Sequence, residues 1–260
     1  MSQTGMSATH QSCRAVVLIK ALPQPSKTYG ETVCCAGITA DGQWKRLFPV
    51  RFRHLGGAAS FSRWDWVRFA FRKPTRDTRA ESCHVYEDTI ELDGNVPPTE
   101  RSRLLTPLIR KSAKDAMSLG HSLTLVQPKN TKFIAKLKTK SELEDEREAY
   151  RQAAKQGSIF DKELAELEPS PYDFRFRFED DSGQHNYQNG DWETHVTFWK
   201  WRSLYGEDET LKKMSDVFND EYPKKGMLFA LGNQAKRPQT WQLLGVIRYN
   251  EALQADLFAK

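Results

Sequence analysis

The 260-residue chain has only four cysteines, Cys13, Cys34, Cys35 and Cys83, and no two of them form a C-x-x-C pair. They read as small buried hydrophobes of a reduced, cytosolic protein. Long apolar runs are missing too: none approaches the roughly 20 residues that cross a bilayer. Residues 1–12 are polar and contain no apolar signal core, so a cytoplasmic location is expected. There is no GxxxxGK(S/T) phosphate loop, which argues against P-loop ATP or GTP hydrolysis. GxGxxG, GxSxG and the Cys/His set of zinc deaminases are absent as well. The six histidines show no H-E-x-x-H spacing, and no D/E-x-K pattern surrounds Glu193. Neither a cofactor nor a metal is expected.

What is present is an uneven charge. The formal net charge of +5 conceals +9 over residues 14–80, +3 over 81–140, −9 over 141–193 and +2 over 194–260. A basic surface attracts polyanions by Coulomb forces and counterion release, so the basic first third points to nucleic acid. Hydrophobic content of 38% is low, but an aromatic content of 11% excludes general disorder. Those rings need either a core or flat ligands to stack on.

Periodicity predicts strands over residues 14–20, 31–39, 43–50, 64–73 and 81–90, with a turn at Ala40-Asp41-Gly42. In the fourth, Val67, Phe69 and Phe71 share one face and Arg68 and Arg72 lie on the other. Five short strands at this spacing suit a small barrel. Residues 101–118 read as helical with a break near Pro107, and 122–127 as a short strand. Capping-box spacing at Ser141 and Glu144 opens an acidic helix over 141–156. Tyr172, Phe174, Phe176 and Phe178 alternate with Asp173, Arg175 and Arg177, as in a half-buried strand. Helices are predicted after Asp191, with Trp192, Val196 and Trp199 on one face, and over 207–221. Strands over 227–231 and 240–248 complete the set. The organisation expected is a loose tail over 1–13, a first unit over 14–138, an acidic connector over 139–170 and a second unit over 171–260.

Several phrases, spread over residues 14–249, resemble a family of bacterial proteins with a dual OB-containing domain. They are VVLIKALPQPSKTYGETVCCAGIT, WKRLFPVRFR, FSRWDWV, DWE at 191–193 and LFALGNQAKRPQTWQLLGVIR, in that order. The resemblance implies a β-rich α+β fold, with two small OB-like β-barrels joined and decorated by helices. It implies no reaction and no catalytic residues. OB-like barrels often bind single strands, which is an inference by fold analogy.

Three functions are compatible with these patterns. The leading one is a module that binds single-stranded DNA or RNA on the first unit. Arg46, Arg51, Arg53, Arg63, Arg68, Arg72 and Lys73 would pair with phosphates, and Trp44 or Trp64 would stack on bases. Lys27 and Tyr29 would add contacts from the loop over residues 21–30. An alternative is a nucleic-acid-processing enzyme, a metal-dependent nuclease or a base-modifying activity, centred on His185, Asp191, Glu193 and His195. Against it, Asp191 also reads as a plain helix N-cap. A third is a protein-interaction subunit of a larger bacterial system, such as phage defence, docking through the acidic helix over 141–156.

Overall fold

A computed structural model describes residues 10–26, 30–32, 34–52, 55–56, 59–156 and 168–248. The fold is a β-rich α+β arrangement that contains one closed five-stranded barrel and several helices. The barrel strands are β1 (Gln11–Lys20), β4 (Cys35–Ile38), β5 (Trp44–Phe48), β6 (Asp65–Arg72) and β7 (Ser82–Val85). Between β1 and β4 lies a small hairpin, β2 (Gln24–Ser26) with β3 (Gly30–Thr32), and β8 (Glu91–Asn95) pairs with the outer side of β6. The ring runs β1-β4-β5-β7-β6 and closes because β6 pairs back onto β1; only β5 and β7 are parallel. Gln11, Ser12 and Cys13 pair with Phe71, Ala70 and Phe69, so the expected loose tail over 1–13 gives way to ordered strand from Gln11.

Four consecutive apolar residues in β1 have a direct explanation. Ala15 and Val17 point into the barrel, among Leu47, Val67, Phe69 and Val85. Val16, Leu18 and Ile19 point outward, against Leu123, Leu125, Leu228 and Ile247 of the second unit. A strand buried on both faces loses the alternation of a half-exposed one. A glycine is required next to it, because a Cβ on Gly37 would lie 2.3 Å from the Val16 carbonyl oxygen.

After the barrel come α1 (Pro98–Leu105), a tight turn over Thr106–Leu108, β9 (Ile109–Arg110) and α2 (Ala113–Ser118). Then follow β10 (Leu123–Val126), β11 (Lys129–Leu137) and α3 (Lys140–Gln156). The α3 capping box forms two residues before the predicted one: Glu142 N donates to Thr139 Oγ1 at 3.2 Å, and Thr139 N donates to Glu142 Oε2 at 2.7 Å. The chain continues through β12 (Tyr172–Asp180), β13 (Gly183–Gln188), α4 (Trp192–Tyr205) and α5 (Glu207–Asp216). A π-turn over Val217–Glu221 leads to α6 (Tyr222–Lys225), β14 (Met227–Gln234) and β15 (Arg237–Arg248).

Two expectations are corrected here. Residues 109–137 were expected in the first unit, but β10 pairs with β14 and β11 with β12, which places them in the second. That second unit is also not a closed barrel among the described residues. Its strands form a four-stranded sheet, β15-β14-β10-β9, and a three-stranded one, β11-β12-β13. A single bridge, Asn189 to Leu243, joins them. Pairing stops there because Asp191 turns the chain into α4. Phe174, Phe176 and Phe178 nonetheless face a common core with Phe198, Met214, Phe218 and Phe229, as their alternation predicted.

Candidate functional site

The basic and aromatic residues of the first unit do not form one exposed face. Trp44 and Trp64 are each only 8% exposed and pack in the seam between the units. Arg46 is buried there as well: its Nε donates to Ser122 Oγ at 3.0 Å, and Nη2 donates to the Ser122 and Asn233 carbonyls. Burial lowers its pKa to about 10. Arg63 donates from Nη1 to Val246 O at 2.7 Å and from Nη2 to Asp191 Oδ1 at 2.6 Å. Arg51 pairs with Glu87 at 2.9 Å, and Arg68 with Asp93 at 3.1 Å. Arg72 and Lys73 are exposed at the end of β6, with Lys73 donating to the Ala80 carbonyl. Lys27, Tyr29 and Arg53 lie outside the described residues. Part of the physical reason is the seam: Trp44, Trp64, Arg46 and Arg63 hold the second unit, while Arg51 and Arg68 pair with carboxylates of the first.

The four candidate catalytic residues are not brought together either. His185 Nε2 lies 2.9 Å from Asp180 Oδ1, at the β12–β13 turn. Glu193 pairs with Lys20 at 3.0 Å. Asp191, 1% exposed, caps α4 by accepting from Glu193 N at 3.4 Å, and it also accepts from Val246 N at 3.0 Å and from Arg63. Burial raises its pKa, with Arg63 opposing. Among the described residues no group of three His, Cys, Asp or Glu side chains is placed to hold a metal.

His195 belongs to a different site. Where the barrel meets β13, β15 and α4, a cavity of about 890 Å³ opens. Its walls include Tyr172, Tyr187, Trp199 and Trp241, all partly exposed. His195 Nε2 lies 3.1 Å from the Asn189 carbonyl, which only accepts, so Nε2 carries the proton and Nδ1 is an acceptor. Burial lowers the His195 pKa to about 4, so the ring is neutral at pH 7. Asn189 Oδ1 accepts from Asp191 N at 3.0 Å, which leaves Nδ2 as a donor. Asp173 Oδ2 accepts from Arg175 Nη1 at 3.1 Å. His195 Nδ1, Asn189 Nδ2 and Asp173 Oδ1 are buried and have no hydrogen-bond partner among the described residues. All three residues line this one cavity. A buried polar atom left unpaired costs about 1–3 kcal/mol, and three such atoms belong to residues of this one wall.

The sequence pattern singles out His195 beside Asp191 and Glu193, and the structure places its ring at this cavity. Asn189, Tyr187 and Trp199 lie close to His195 in the chain, whereas Trp241 is brought to the cavity from a distant segment. No curated protein matches this sequence. Residues 11–111 match a domain of unknown function, DUF8758. Residues 106–260 match a second domain of unknown function, DUF8757, and the boundary falls where the fold changes from barrel to open sheets. Because that second match spans more than half of the chain, the chain belongs to the DUF8757 family.

Proposed function

We propose that this chain binds single-stranded nucleic acid and seats an unpaired base in the cavity between its two units. The observation that carries this reading is the cavity wall, where partly exposed aromatic rings stand beside an unpartnered acceptor on His195 and an unpartnered donor on Asn189. A base presents the two matching features, a π-face to stack and an edge of donors and acceptors. Stacking contributes about 1–3 kcal/mol per base. A neutral imidazole acceptor suits a base edge rather than an anion. Lys236 and Arg237 are exposed at the β14–β15 turn, next to Gln234 and Ala235 of the wall, and would meet the adjoining phosphates.

The fold supports the same class. The ring order of the first barrel, with its single parallel pair, resembles that of an OB barrel. The strands of the second unit follow a similar path, with β10 and β11 together in the place of a first strand and the parallel Asn189–Leu243 bridge in place of a third pairing. An OB barrel followed by an open variant of the same path is the reading that this support favours.

Fluorescence anisotropy with single- and double-stranded DNA and RNA oligomers at two salt concentrations tests the proposal. Salt-sensitive binding with a preference for single strands is expected. Tyr187→Ala combined with Trp241→Ala should weaken it by about tenfold or more. Lys236→Ala with Arg237→Ala should reduce the slope of log K against log salt by about 1–2. Absence of binding, or binding indifferent to both double variants, would overturn it.

A further inference from the structure

A second pocket lies on the barrel side of Asp191 and has a different chemistry. It encloses about 260 Å³ where Arg63, Trp64, Arg101, Tyr222 and Arg248 converge from the barrel, α1, α6 and the end of β15. Three guanidiniums line it and no carboxylate does. Asp191 pairs with Arg63, and Glu221, next to Tyr222, pairs with Lys225 at 2.8 Å and also feels the Arg248 charge. Arg101 and Arg248 make no ion pair among the described residues.

Two of the three cations, Arg101 and Arg63, are held in place. Arg101 lies over the Trp64 ring at 4.5 Å, and its Nε donates to Val96 O at 3.2 Å, which leaves its outer nitrogens uncommitted. Trp64 itself has a left-handed backbone, φ 77°, stabilised by hydrogen bonds from its N to Val17 O and from Val96 N to its O, each 2.8 Å. Such a conformation is strained in a non-glycine residue and persists where the surroundings enforce it. Arg63 is clamped at both Nη atoms, yet its Nε is buried with no hydrogen-bond partner. Burial lowers the Arg101 pKa and the Arg248 charge lowers it further, as expected of like charges forced together.

We propose that this pocket is a binding site for a phosphate oxyanion, held by Arg101 and Arg248, with the Arg63 guanidinium adding positive charge to the wall. Guanidinium forks match phosphate oxygens in pairs, and a tetrahedral anion relieves the repulsion between the two unpaired cations. The phosphate is either a free anion or one carried by a nucleic-acid strand. The site rests on its own residues and does not depend on the base-binding reading of the larger cavity.

The test is thermal unfolding of the full chain titrated with inorganic phosphate, with a short 5′-phosphorylated oligonucleotide and with the same oligonucleotide lacking the phosphate. A ligand that binds only the native state raises Tm as its concentration passes Kd. Phosphate-dependent stabilisation is expected in the wild type and should be lost in both Arg101→Gln and Arg248→Gln. The second variant changes an exposed residue and keeps the test decisive where loss of the Trp64 stack lowers stability in the first. The variant with Tyr187→Ala and Trp241→Ala should retain the effect, which separates failure of this site from failure of the cavity. Stabilisation by inorganic phosphate identifies a free anion as sufficient, whereas stabilisation only by the phosphorylated oligonucleotide identifies a strand phosphate. No phosphate-dependent shift with either probe, or a shift that both arginine variants preserve, would overturn the proposal.

Discussion

Arg63 and Asp191, 128 residues apart in the chain, form an ion pair at 2.6 Å inside the seam, with side chains 14% and 1% exposed. Asp191 also takes the Val246 N–H and caps α4, while its own N–H donates to Asn189 Oδ1. One residue therefore ties the barrel, β15, α4 and the wall of the larger cavity together. Arg63 lines the smaller pocket and Asn189 the larger one, so the pair stands between the two candidate sites.

Asp191→Ala should cost about 3–5 kcal/mol, because it strands a buried guanidinium. Loss of a helix cap alone would cost about 0.5–2 kcal/mol. Urea unfolding separates the two outcomes, provided that the m-value is unchanged. A loss within the smaller range would mean that Arg63 is satisfied by the Val246 carbonyl without the carboxylate.

Stability should fall as pH drops from about 6.5 towards about 4, and His195 is one cause. Its pKa is lowered to about 4, so in that window the unfolded chain binds a proton that the native ring does not. The contribution is complete above the unfolded value, is lost on acidification, and amounts to at most about 3 kcal/mol. His195→Phe keeps a ring against Phe174 and Trp199, 5.2 and 5.9 Å away, and removes the titration. Urea unfolding at about pH 7 and about pH 5 should show a shallower pH dependence in the variant. Identical slopes in the two proteins would show that the native ring takes up the proton.

Gly37→Ala should lower stability by about 1–3 kcal/mol, because the new methyl would meet a backbone oxygen inside a closed ring. Gly56 offers the control: a Cβ there meets nothing within 4 Å, and Gly56→Ala should stay within about 0.5 kcal/mol of the wild type. Equal melting temperatures for the two variants would mean that β1 and β4 can separate without cost.

Much of the local structure was legible in the sequence. The alternation over 172–178, the Asp191 cap, the run of apolar residues in β1 and the break at Pro107 each reflect short-range periodicity or backbone chemistry, and the structure contains all four. The residues of the candidate sites were less legible. Arg63 was expected on an exposed phosphate-binding face, and its guanidinium instead bridges to Asp191 in the seam. Trp44 and Trp64 read as stacking rings because basic residues surround them, yet they pack in a cluster completed by strands that come much later in the chain.

The sequence by itself determined the β-rich character, the helix positions and the alternation that buries the phenylalanines, since each depends on neighbours within a few positions. Only the tertiary structure decided which strands share a sheet, that the second unit stays open, and that Tyr187, Asn189, His195 and Trp241 border one cavity. Those outcomes depend on which outward faces of β1 and β5 find an apolar partner. That choice is made by packing between distant segments, for which no local pattern of residues carries a signal.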